Sequence, residues 1–359
     1  MKKSLCQDSP LIKKRFSMIY AKVVTISIFC LLNSLVTSAQ ENYVMYHKEI
    51  LRCEQQFLYL DNIKDAIKGY KKVFQRYSKP FAKDCFVALQ LACLTGDTQE
   101  VEYFARIAFR RGLSWTGLTY SQVVSKFLSS NGHFNQKIKS VFDAEHVKFM
   151  GSLNKELRTS IIKMAHKDDS VKWSLNSLKG TEFKRVNKAY QDILDSNAVQ
   201  IAKLTAQYGY LGSNKIGFAD FPVKNHEEVY AKTCFQLVPL IDQLYYHHSC
   251  CYFSNPQKLR DALVNGDITP STYASIYEWA FLDLKEKRPE VALCHPIAEQ
   301  TEYYNICPIM KFWQKSNDSI LVNKCRFAIG MPSTSHFEKR KAFEKETGIK
   351  LLFGHFQID

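Results

Sequence analysis

Between residues 43 and 111 the apolar side chains recur at every third and fourth position, a period that commits the segment to α-helix. Ile63, Ile67, Tyr70 and Phe74 line one face, with Ala66 beside them and Lys64, Lys68, Lys71 and Lys72 mostly elsewhere. Ser78-Lys79-Pro80 stops that helix, because proline lacks the amide a helix interior needs. Asp84 then opens Cys85-Phe86-Val87-Ala88-Leu89-Gln90-Leu91-Ala92-Cys93-Leu94, which is apolar nearly all round and is expected between neighbouring helices. Gly96-Asp97 makes a tight turn, Val101, Phe104, Ala105, Ala108 and Phe109 form the returning stripe, and Gly112 sits where a C-terminal cap belongs. The remainder is punctuated just as sparsely. Only 14 Gly and 10 Pro interrupt 359 residues, too few for a sandwich or barrel that turns every ~8–12 residues. With 46% hydrophobic residues the chain can bury a sizeable core, which excludes disorder. The expected fold is therefore mainly α. A helical hairpin module at 41–148 precedes an α-helical domain at 150–359, with at most a short C-terminal strand at 349–353.

Residues 1–39 read as an address label. A basic zone runs to Lys22, the apolar run 23–32 follows, and Thr37-Ser38-Ala39 supplies the small residues a signal peptidase reads. Cleavage after Ala39 is expected, giving an exported protein, periplasmic or secreted. The apolar run falls short of the ~20 residues that span a bilayer, so the membrane is touched only if this segment stays uncleaved. The same segment carries six basic residues against Asp8, and so accounts for part of the formal net charge of +14. The other lysines are scattered at spacings that suit solvated helix faces, and no nucleic-acid partner is expected. Cys85 and Cys93 lie inside the apolar helix and read as small core hydrophobes.

Further along, residues 152–208 carry two helical stripes ending at Gly209, and 230–246 reads as a helix delivering His247-His248 near its end. Asn265-Gly266-Asp267 is a turn. Thr269-Pro270 supplies the cap and first-turn proline of a helix over 271–284. Ser335-x-x-Glu338 is read as a capping box for a last helix closing at Gly348.

Two resemblances follow from these residues. Ile67-x-x-Tyr70-x-x-x-Phe74 and the Ala88…Leu91-Ala92…Gly96-Asp97 turn resemble a degenerate tetratricopeptide-like helical hairpin, which implies a partner-binding surface. Asp195-Ser196-Asn197, Tyr208-Gly209, His247 or His248, Gly266-Asp267-Ile268-Thr269-Pro270-Ser271-Thr272-Tyr273-Ala274 and Asn323-Lys324-Cys325-Arg326…Ile329-Gly330-Met331 together resemble an uncharacterised bacterial family (a domain of unknown function) found on exported proteins. The likeness covers about 153–332. It departs at Glu278-Trp279, where that family carries Asp-Arg, and around 295–300, where its Tyr-Gly-x-Gln is missing. The family brings no activity with it.

The densest chemistry is Asp242, His247, His248, Cys250 and Cys251, followed by His295 and Glu299. Imidazole and thiolate are zinc donors, so His248 and Cys251 are the candidate metal ligands, with Asp242 orienting a ring nitrogen from behind. Adjacent histidines on a helix diverge, however, and no second spaced pair completes a zinc signature. Zinc aside, no cofactor is expected: there is no phosphate-binding Gly-Lys-Ser/Thr and no Gly-x-Ser-x-Gly elbow. Two functions stand. The leading one is a non-catalytic cell-envelope or secreted protein that binds a protein or peptide partner. The other is a His-dependent hydrolase or metal-binding enzyme, with His247, His248 and Glu278 as its catalytic residues.

Overall fold

Short polar side chains start many of the described helices and glycines with positive φ end several of them, satisfying part of the backbone's unpaired terminal groups. The computed structural model describes residues 41–218, 240–247, 255–286 and 319–351. Residues 1–39, read from the sequence as an export signal, lie outside the described residues. Among them every regular element is a helix.

Asn42 caps α1 (Tyr43–Tyr59), and Asn62 caps α2 (Ile63–Arg76) by accepting from the Asp65 amide. α3 (Ala82–Thr95) ends at Gly96 with φ +73°, and Asp97 at once caps α4 (Thr98–Arg110). Four helices thus fold as two consecutive hairpins. Two short helices, α5 (Trp115–Thr119) and α6 (Gln122–Ser129), lead into α7 (Gly132–Ser152), which packs on α4. α3 is buried from Asp84 to Cys93 because α2, α4 and α6 surround it, the environment its all-round apolar sequence demands. Cys85 and Cys93 are free thiols in that core.

A long hairpin follows, α8 (Lys155–Ser177) and α9 (Gly180–Tyr208), and then the short α10 (Ser213–Ile216). α11 (Leu240–His247), α12 (Pro256–Val264), α13 (Pro270–Glu286) and α14 (Ser319–Ala328) complete a second core around Ile161, Ile201, Leu240, Leu244 and Leu263. Among the described side chains after Ala165 on α8 and before Ala198 on α9, none belongs to either apolar core, although Asp168 is fully buried.

The last helix, α15 (Thr334–Thr347), starts two residues earlier than the Ser335 capping box implies. Ser333 accepts from the His336 amide, and the Ser335 hydroxyl meets Ser333 instead. α15 returns to the first core, where Phe343 packs 5.2 Å from the Phe57 ring. Ile349 and Leu351 follow it into that core; of the expected strand over 349–353, the described residues 349–351 form none, and 352 and 353 lie outside the described residues. The two cores meet on α1. A Cβ on Gly266 would lie 2.5 Å from the Tyr43 ring, and one on Gly330 would lie 2.9 Å from the Val44 carbonyl oxygen. Residues from Asn42 onward form one compact unit. No helix among the described residues is long and apolar enough to cross a membrane.

Candidate functional site

Asp242 sits on α11 between the buried Ile241 and Leu244, one turn before Tyr245, and is only 1% exposed. The amide of Leu240 donates to the Gly217 carbonyl at 3.1 Å, which pins the start of this short helix. Gly209 ends α9 at φ +71°, so the chain turns there and sends Tyr210 inward while Tyr208 stays 44% exposed. The Tyr210 hydroxyl donates to Asp242 Oδ1 at 2.5 Å. From the other side, Thr269 caps α13 by accepting from the Thr272 amide, which holds Thr272 where its hydroxyl donates to Asp242 Oδ2 at 3.1 Å. Behind this pair, Tyr245 stacks on Tyr210 with ring centres 5.3 Å apart, and its hydroxyl meets that of Thr205.

Burial pushes the Asp242 carboxyl up to about 7, although the Tyr210 and Thr272 hydrogen bonds pull the other way. A carboxyl poised there gains or loses a proton near neutrality, the property that general acid–base work exploits.

Glu278 lies further along α13, also buried, and its charge favours the protonated form of Arg326. Burial lowers Arg326 to about 10 against that attraction, while its Nε donates to the Pro332 carbonyl at 2.6 Å. The segment Asn323-x-x-Arg326…Gly330-Met331 is thus a fastening. Asn323 accepts from the Thr334 amide, and Met331 donates to the Arg326 carbonyl, tying α14 to α15. Asn197, two turns before Thr205 on the buried face of α9, keeps its Nδ2 in the interior without a partner among the described residues.

The structure therefore brings Tyr210, Asp242, Thr269 and Thr272 together, and places Glu278 beside Arg326. His247 closes α11, but its side chain is not among those described. His248, Cys250, Cys251, His295 and Glu299 lie outside the described residues, so the zinc expectation on His248 and Cys251 falls there too. Among the described residues no group of three His, Cys, Asp or Glu side chains is placed to hold a metal.

Sequence reasoning missed a second buried polar cluster. Glu54 on α1 accepts from Arg340 Nε at 2.9 Å and Arg340 Nη2 at 2.7 Å, with His336 Nε2 at 2.9 Å. Burial alone would raise the Glu54 carboxyl, but Arg340 and His336 outweigh it and hold it at about 2. The only local signal was that Glu54 falls on the apolar face of α1. Nearby, Tyr46 donates to Asp84 at 2.9 Å and accepts from the Phe81 amide.

Comparison with family models, with curated proteins and with solved structures finds no match.

Proposed function

We propose that this chain is an exported, non-catalytic helical protein that binds a protein or peptide partner. The observation that carries this reading is the α8–α9 hairpin. At ~1.5 Å per residue, the 29 residues of α9 run roughly 43 Å, and only the basal part of that length belongs to a core. Toward its tip the hairpin exposes Lys167, Lys179, Lys184, Arg185 and Lys188 against Glu182 and Asp192, with Phe183 also exposed between them. Cations flanking an exposed aromatic ring suit an acidic protein surface, where arginine and aromatic side chains contribute most to binding. Helical pairs that stand out from a body present such side chains without disturbing the core.

The test compares three proteins in photo-crosslinking to an envelope extract of the source cell: wild type, a hairpin shortened by removing 169–190, and the charge reversal Lys184→Glu/Arg185→Glu/Lys188→Glu. One partner captured by wild type and lost in both variants, with melting unchanged in the reversal, supports the reading. Identical capture by all three rejects it.

A second reading rests on Asp242. Its carboxyl, at about 7, shares a short helix with His247, on which, with His248, a His-dependent hydrolase would centre. Near-stoichiometric zinc in purified protein, lost on His247→Ala or His248→Ala, would place this reading ahead.

A further inference from the structure

Residues 77–81 link α2 to α3 without helical hydrogen bonds of their own, and the link hangs from α1 by two tyrosine hydroxyls. The Lys79 amide donates to the Tyr43 hydroxyl at 2.8 Å, and the Phe81 amide donates to the Tyr46 hydroxyl at 3.1 Å. Between these attachments lies His47. Its ring packs against Phe81 with centres 4.9 Å apart, and a Cβ on Gly330 of the second core would lie 2.9 Å from its own Cβ. The residue is 4% exposed, and its Nε2 is buried without a hydrogen-bond partner.

A neutral imidazole in that position forgoes one hydrogen bond, whereas an imidazolium would be a buried charge with an unpaired donor. Its surroundings offer no counter-ion. Lys83 on α3 and Arg340 on α15 both act on the ring as cations, and Arg326 on α14 lies close enough to feel Arg340. The carboxyls of the region are engaged elsewhere: Asp84 of α3 accepts from Tyr46, and Glu54 of α1 is paired with Arg340 and His336. Burial, then Lys83 and Arg340, hold the His47 imidazole well below its ordinary range.

We propose that His47 is an acid-operated latch, whose protonation releases the 77–81 link from α1 while the rest of the first core stays folded. Linkage sets the direction. The ring is neutral in the closed form and titrates at ~6.5 once the corner opens, so the closed form is fully favoured above that pH and loses its advantage as pH falls below it.

Hydrogen exchange of the Lys79 and Phe81 amides reads the latch directly, because those amides are held by α1 alone. After correction for intrinsic rates, their opening constant in wild type should rise roughly 25-fold from pH 7 to pH 5. In His47→Gln it should change less than about twofold; Asp84 and Glu54 titrate in both proteins, so the difference isolates the imidazole. At pH 5 the Leu89 and Leu91 amides inside α3 should stay better protected than those of the link. Equal pH dependence in the two proteins overturns the proposal, as does equal protection of link and helix, which would make the opening global. If His47→Gln does not fold, the wild-type imidazole decides by nuclear magnetic resonance: a ring still neutral at pH 5 in the closed form supports the latch, and one that titrates near 6.5 without any opening ends it.

Discussion

At Asp242 one proton is coupled to the stability of the second core. Its carboxyl titrates at about 7 in the folded protein and at ~3.9 in an unfolded chain. Between those values the folded state holds a proton that the unfolded state has released, so the stabilisation is complete below about pH 4 and is lost as pH rises through 7. Three units correspond to at most about 4 kcal/mol. Asp242→Asn should therefore flatten the pH dependence of the urea midpoint between pH ~4 and ~8, where wild type declines. Equal slopes in the two proteins would mean that Asp242 is solvated. Glu54 has the opposite sign: held at about 2, its contribution is present above its unfolded value and fades only as pH falls through 2. Asp242 could be picked from the sequence because it precedes two histidines. Its true partners, Tyr210 and Thr272, lie 32 and 30 residues away, and nothing local pairs them with it.

At the scale of the element, capping chemistry predicts which helices form. Asp97 Oδ1 accepts from the Gln99 and Glu100 amides at 3.0 and 3.1 Å and so starts α4 directly after the left-handed Gly96. Asp97→Ala leaves both amides without that partner and should cost about 1 kcal/mol in urea unfolding. A loss below a few tenths would mean that water replaces the cap. These signals were readable because each acts within one turn: the Gly96-Asp97 turn, the Thr269-Pro270 start of α13 and the Gly348 stop of α15. Two starts are misplaced: α3 begins at Ala82 behind an uncapped Phe81 rather than at Asp84, and α15 is capped by Ser333 rather than Ser335. Several hydroxyls close to one helix start compete, and the selection falls to the residue whose backbone is extended at the right point, here Ser333 at ψ 162°.

Across the whole molecule, α1 is the element both cores share. Gly266, in a turn of the second core, admits the Tyr43 ring, whose hydroxyl accepts from the Lys79 amide in the first. Gly266→Ala adds a Cβ at 2.5 Å from that ring on a backbone with φ +73°, and should cost at least about 2 kcal/mol in thermal unfolding. Gly96→Ala is the control. It has the same φ of +73° but nothing within 4 Å of its Cβ, so it reports backbone strain alone. Similar losses in the two would mean that the seam on α1 yields without cost.

The sequence by itself determined that this chain is helical, and largely where its helices start, turn and stop. Periodicity, caps and glycines act through neighbours along the chain, and that physics is complete within one turn. Only the tertiary structure decided which buried polar groups meet. Glu54 with Arg340, Gln90 with Lys350 and Tyr210 with Asp242 are 286, 260 and 32 residues apart. Each is a polar side chain on an otherwise apolar face. Burial makes a partner necessary at such a site, but only the packing of distant helices determines which partner arrives.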